Sequence, residues 1–108
     1  MIELNREERV TLLALARKTI AESVGADQEL GTLDLSPQVF SMKCGAFVTL
    51  HIQGRLRGCI GYIQGIKGIP ETVEEMALSA AFKDPRFRPL RKEEYHLIDI
   101  EISVLSPI

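Results

Sequence analysis

Apolar residues recur at helical spacing through the first two dozen positions of the chain and switch to strict alternation in the middle and near the end. Over 5–24 the wheel predicts Val10, Leu13, Ala14, Ala16, Ile20 and Val24 on one broad face, with Glu7, Glu8, Thr11, Lys18 and Glu22 opposite. Asn5 followed three residues later by Glu8 has the form of a capping box, and Gly25 stands where a left-handed cap would close the helix. The next stretch, 25–37, has neither period and reads as a loop. From 46 to 63 the alternation centres on Gln53-Gly54, the form of a β-hairpin with a two-residue turn. An uninterrupted register pairs Ile52 with Arg55, Leu50 with Arg57 and Val48 with Cys59. Both faces of this hairpin are largely apolar, which predicts that it lies inside the molecule.

A second helix is expected over 70–82. Pro70 suits its first position, Glu71, Glu74 and Glu75 suit its positive end, and Val73, Met76, Ala77, Ala80 and Ala81 form one apolar face. Asp84-Pro85 stops it. A third strand over 97–105 alternates Ile98, Ile100, Ile102 and Val104 with Asp99, Glu101 and Ser103. The pattern therefore predicts an α+β fold: a small sheet built on the central hairpin and the last strand, packed by the two helices.

Composition narrows the function more than the fold. With 108 residues, 45% of them hydrophobic and 26% charged, the chain is expected to form one globular domain with a real core. Its 13 basic and 15 acidic residues give a net charge of -2, which argues against nucleic acid or an anionic membrane as partner. No apolar run reaches membrane-span length and the first residues are acidic, so the expected location is the cytoplasm. Cys44 and Cys59 fall in no ligand cluster; two free thiols and no metal site are expected. No phosphate loop, dinucleotide fingerprint or serine elbow occurs, so no cofactor is expected either.

The candidate chemistry lies in Leu56-Arg57-Gly58-Cys59-Ile60-Gly61. In a regular strand Arg57 and Cys59 share a face, and a guanidinium beside a thiol favours the thiolate, the nucleophilic form. Gly58 and Gly61 mark places where a ligand or another backbone comes close. The alternative is structural: Cys59 opposite Val48 on an apolar face is a small packing residue. His51 falls on the face opposite Cys59 and reads as a packing residue, and His96 opens the third strand. Asp99 and Glu101 read as a solvated stripe. Arg86 and Arg88 flank Phe87 as either an anion contact or an exposed rim.

The hexapeptide, together with Phe47-Val48-Thr49-Leu50, Ser79-Ala80-Ala81-Phe82-Lys83-Asp84-Pro85-Arg86-Phe87 and Ile100-Glu101-Ile102-Ser103-Val104-Leu105, resembles the AMMECR domain family. The resemblance spans nearly the whole chain. It implies a domain of unestablished activity whose prokaryotic members accompany a Memo-like protein and a radical-SAM protein, the partners expected by resemblance. It also implies a longer domain, so this chain is expected to be truncated at its C-terminus. An apolar surface is then expected where the further part would pack, with self-association through it. Two functions follow as expectations. One is a thiol-dependent small-molecule or modification enzyme, with Cys59 and Arg57 catalytic and Gly58, Gly61 and Arg86 binding substrate. The other is a non-catalytic adaptor in which the hexapeptide is structural.

Overall fold

The computed structural model of the chain describes residues 2–27 and 31–106. Positions 28–30 of the loop expected over 25–37, and the residues at 1, 107 and 108, lie outside the described residues. The first helix, α1 (Arg6–Val24), is closed as its ends predict. Asn5 and Glu8 exchange side-chain to backbone hydrogen bonds of 2.8 Å, and Gly25 caps the other end at φ 73°. Its buried face differs from the expected one. Leu12, Leu15, Ala16, Ile20 and Ala21 are buried, whereas Val10 is 56% and Leu13 38% exposed. The run Val-Thr-Leu-Leu-Ala-Leu-Ala over 10–16 offers apolar side chains to more than one direction, and the position of the second helix decides which of them is covered.

The hairpin joins β1 (Ala46–Ile52) to β2 (Arg55–Tyr62) through Gln53 and Gly54, both left-handed at φ 52° and 77°. Paired positive φ angles give the turn the twist that antiparallel strands need. The last strand, β3 (Ile98–Val104), pairs with β1 on its other side, so the sheet runs β2-β1-β3 and is antiparallel throughout. The second helix, α2 (Ile69–Phe82), follows Gly68 with Pro70 in its opening turn and crosses one face of this sheet. Between β-hairpin and helix ends, two short pieces escape the sequence pattern. A 3-10 turn at Gln38–Ser41 buries Phe40, and a single helical turn, α3 (Lys92–Tyr95), buries Tyr95, whose hydroxyl donates to the Arg17 carbonyl at 3.3 Å.

The expected hairpin register holds only at the tip. Ile52 opposes Arg55 and His51 opposes Leu56, but Leu50 opposes Gly58, Thr49 opposes Cys59 and Val48 opposes Ile60. Arg57 is the extra residue of a β-bulge. A bulge inserts one residue into one strand and so shifts every later pair by one. One face of the sheet thus carries Ala46, Val48, Leu50, Gly58 and Ile98, all buried beneath α1 and α2 with Val73, Met76, Ala77 and Ala80. Each fully buried aliphatic side chain there contributes about 1.5–3 kcal/mol. The other face is open: Phe47, Thr49, His51 and Cys59 are half-buried, and Asp99, Glu101 and Ser103 are exposed. The hairpin is therefore interior on one side only. Among the described residues no helix is long and apolar enough to cross a membrane.

Candidate functional site

Cys59 reaches the open face because the bulge at Arg57 turns it there. Its sulfur lies 3.1 Å from the Thr49 hydroxyl on the neighbouring strand. The backbone on either side of the thiol is clamped: the Cys59 N–H donates to Asp84 Oδ2 at 3.0 Å, and the Cys59 carbonyl accepts from Arg86 Nη2 at 3.3 Å. Asp84 is itself buried, 4% exposed, at the point where α2 ends. It accepts from the Arg86 backbone N–H, Nε and Nη2 at 3.1, 3.0 and 2.8 Å. The Arg86 side-chain bonds, and after them the Cys59 N–H, hold the Asp84 carboxyl well below the usual carboxylate range. Arg86 in turn is raised, first by its bonds to Asp84 and finally by the charge of Cys59. The guanidinium within electrostatic reach of the thiol is thus that of Arg86, and its side chain remains 56% exposed.

Arg57 takes a different place from the one expected. As the bulge residue it leaves the alternation that would have set it beside Cys59. Its Nε and Nη2 form a bidentate pair with Glu94 of α3 at 3.0 and 3.1 Å, and Nη2 also donates to the Arg88 carbonyl at 2.8 Å. Glu94 is held below its ordinary pKa chiefly by these bonds. Arg57 and Arg86 both lie over the Phe87 ring, at 5.9 and 5.4 Å, so Phe87 braces the loop at the rim of the sheet.

The two glycines of the hexapeptide are filled by protein. A Cβ on Gly58 would lie 3.0 Å from the Ala80 carbonyl carbon and overlap its oxygen, so the close neighbour is the backbone of α2. A Cβ on Gly61 would strike the Ala46 oxygen and the Phe47 ring, which covers it on the open face. At both glycines the atoms that an added Cβ would meet belong to the protein itself. His51 moves the other way. The sequence register sets it on the face away from Cys59, whereas the bulge brings it to the same face, two residues from Thr49 along β1 and across from Asp99 of β3. His96 is exposed, edge-on to Tyr95 at 5.1 Å, beyond the hairpin-tip end of β3. Cys44 is fully buried, and burial pushes its thiol pKa up. Both cysteines are free thiols, and among the described residues no three His, Cys, Asp or Glu side chains converge as a metal site.

Thr49 and Asp84 are the site residues that sequence reasoning overlooked. Asp84 carried a signal in the Asp-Pro-Arg order, which sets a carboxylate at a helix end two residues from a guanidinium. Thr49 carried none, because only the bulge sets it against Cys59.

Comparison with known proteins agrees with this geometry at the level of fold and family. The chain is 45% identical over 104 residues to a protein of Methanothermobacter thermautotrophicus, covering 96% of this chain and 54% of that protein. It is 42% identical over 106 residues to a protein of Methanocaldococcus jannaschii, covering 96% and 52%. The crystal structure of an uncharacterized Pyrococcus horikoshii protein superimposes with a TM-score of 0.77 at 36% identity, covering 89% of this chain and 50% of that one. The chain spans about half the length of the curated relatives it matches. The AMMECR1 family model matches residues 13–108, and the chain belongs to the AMMECR1 family.

Proposed function

We propose that the open face of the sheet is a thiol site for a small electrophile bearing an anionic group, with Cys59 as nucleophile and Arg86 as the anion contact. The observation that supports this most directly is the bulge. It takes Cys59 off the dry inner face and sets its sulfur on a hydroxyl, beside a half-exposed guanidinium. Clamping of the Cys59 backbone by Asp84 and Arg86 fixes where the sulfur stands, which is what a positioned nucleophile needs. His51 on the same face supplies a proton acceptor within side-chain reach of a diagonal neighbour. The anion-clamping role passes from Arg57, which Glu94 occupies, to Arg86. On this reading the Memo-like and radical-SAM proteins implied by resemblance act on the same small molecule before or after the thiol step.

The test compares alkylation of Cys59 by iodoacetate and iodoacetamide, which differ in charge and share the displacement of iodide by sulfur. Free thiols favour the neutral reagent; Cys59 in the folded protein is expected to shift toward iodoacetate, and Arg86→Gln to remove that shift. A Cys59 that reacts with neither reagent until the protein unfolds would refute the nucleophile. The adaptor reading keeps one observation in its favour: Arg57, Gly58 and Gly61 each have a packing task. It predicts the unreactive Cys59.

A further inference from the structure

Asp84 and Arg86 close the outer edge of β2, which lies on the side of the sheet away from β3. The Cys59 N–H and carbonyl point outward there, to Asp84 Oδ2 and to Arg86 Nη2. A guanidinium carries five N–H donors. Three of those on Arg86 are engaged, Nε by Asp84 Oδ1 and Nη2 by both Asp84 Oδ2 and the Cys59 carbonyl. Both donors left over sit on Nη1, which has no partner among the described residues, and the side chain is half exposed. An incoming anion therefore meets, through one nitrogen, a guanidinium whose orientation is already fixed. Asp84 need not be displaced.

The net charge behind that nitrogen is close to zero. Asp84 is buried against the guanidinium and ionised, because the same bonds hold its carboxyl well below the usual carboxylate range. Arg57, the other guanidinium over Phe87, is neutralised in the same way by Glu94. The helix α2 ends at Phe82, so it turns the negative end of its dipole toward this loop. Asp99 and Glu101 stand exposed on the same face, two strands away, with no ion pair among the described residues. Ionisation of Cys59 adds one more negative charge. Sites for doubly charged phosphate ordinarily offer the reverse, a helix N-terminus or unneutralised cations. We infer that the anion contact beside Cys59 takes a singly charged carboxylate and discriminates against phosphate dianions, with Asp84 setting this limit by neutralising Arg86. The inference rests on the reading of Cys59 as nucleophile and Arg86 as its anion contact, and names the charge class of the substrate. Arg88 is the other arginine of the loop beyond α2; its side chain is exposed and has no partner among the described residues, which makes it the control.

The test uses the N-bromoacetyl derivatives of ethanolamine, β-alanine, taurine and phosphoethanolamine at about pH 8, where a phosphate monoester is close to doubly charged. All share one reaction: the Cys59 thiol loses its proton to solvent, its sulfur bonds to the CH2 carbon, and bromide leaves with the electron pair. Each rate at Cys59, followed by mass spectrometry, is divided by that of a small neutral thiol. The β-alanine and taurine reagents are expected to gain several-fold over the ethanolamine reagent, and the phosphoethanolamine reagent to gain less than either. Taurine separates charge from shape, since its sulfonate is tetrahedral like phosphate and singly charged. Asp84→Asn is expected to raise the phosphate reagent several-fold relative to the β-alanine reagent, whereas a merely structural loss of the clamp slows every reagent together. If Asp84→Asn does not unfold cooperatively, the parent ratios decide alone. Arg88→Gln is expected to leave every ratio unchanged. A phosphate reagent as fast as the β-alanine one in the parent overturns the inference and leaves the nucleophile standing. So does a ratio that Asp84→Asn leaves unmoved in a folded protein, or that Arg88→Gln shifts. Equal normalised rates for every reagent overturn the anion contact as well, and a Cys59 that reacts with none of them until unfolding overturns the thiol site and the inference together.

Discussion

Adding one methyl group at Gly58 is expected to be among the most destabilising single changes on the sheet. The new Cβ would overlap the Ala80 carbonyl oxygen and stand 3.0 Å from its carbon, so α2 and β2 must separate by about 1 Å. Backbone cannot rotate out of the way as a side chain can. Val73 and Ala77 at 0% exposure and Ala80 at 1% pack in this interface with Val48 and Leu50, also at 0%. A gap of 0.5–1 Å forfeits about a quarter to a half of a dispersion contact. Overpacking ordinarily costs about 1–3 kcal/mol, and an immovable backbone atom places Gly58→Ala at about 3 kcal/mol, against the roughly 5–15 kcal/mol that holds a domain folded. With a urea m-value of about 1–3 kcal/mol/M, the midpoint should fall by roughly 1–3 M with the slope unchanged. Gly54→Ala is the control. Nothing lies within 4 Å of its Cβ, so only the left-handed φ of 77° resists it, at about 1–2 kcal/mol. Ala80→Gly should rescue nothing, because the obstructing atom is backbone. A Gly58→Ala protein within about 0.5 kcal/mol of the parent would show that the strand slides clear and would refute this account of the glycine.

Leu50→Ala, at a fully buried position, should cost about 2–5 kcal/mol in the same urea titration; a smaller loss means the core closes over the cavity. Asp84 and Glu94 both have folded-state pKa values below their unfolded ones. The stability they contribute is therefore present above about pH 4 and lost as pH falls through the lowered values. Asp84→Asn should flatten the acid limb of a stability-versus-pH curve, and an unchanged limb would remove Asp84 from that role. Cys44, fully buried with its thiol pKa raised, should react with a disulfide reagent only on unfolding, whereas Cys59 should react in the native state; two fast thiols in native protein would contradict the burial of Cys44.

The elements were legible because each is written in local pattern. The capping box at Asn5, the left-handed Gly25, the Gln53-Gly54 turn and the Ile-x-Ile-x-Ile alternation of β3 each involve residues within a few positions of one another. The site was less legible, because it depends on a single residue out of step. Alternation from the turn outward sets Cys59 against Val48, and nothing in Leu56-Arg57-Gly58 announces that Arg57 stands outside the ladder. The reason for its departure is long-range: Glu94, thirty-seven residues on, holds the guanidinium from a helical turn that sequence pattern does not reveal. The same slip explains why Arg57 and His51 exchange places relative to the thiol. It also explains why the close neighbour expected at Gly58, a ligand or another backbone, includes the backbone of α2. The buried face of α1 was misread for a related reason, since a continuous apolar run leaves the choice of face to its packing partner.

Deleting Arg57 separates the bulged register from the regular one. If Arg57 is the extra residue, its removal leaves Ile52 with Arg55, His51 with Leu56, Leu50 with Gly58 and Thr49 with Cys59, now in one uninterrupted ladder. Cys59 then keeps its face, its Thr49 contact and its reactivity toward iodoacetamide. The cost is the bidentate bond to Glu94, whose side chain is 20% exposed and keeps the Arg91 backbone N–H at 3.0 Å and, more loosely, the Arg91 guanidinium. Charged hydrogen bonds of this kind contribute about 1.5–3 kcal/mol, so the deletion should destabilise the protein by about as much as Arg57→Ala does. In a regular register, by contrast, the deletion moves every residue from Gly58 onward to the opposite face. Cys59 would then change faces, and hydrogen exchange across β2 would report a rearranged ladder. Native-state alkylation of Cys59 in the parent and in the deletion variant decides between them: a regular register hides the thiol beside Val48 in the parent and exposes it only on deletion, so a Cys59 that reacts in both proteins supports the bulge, and one protected in the parent but reactive in the deletion variant would refute it and with it the assignment of the thiol to the open face.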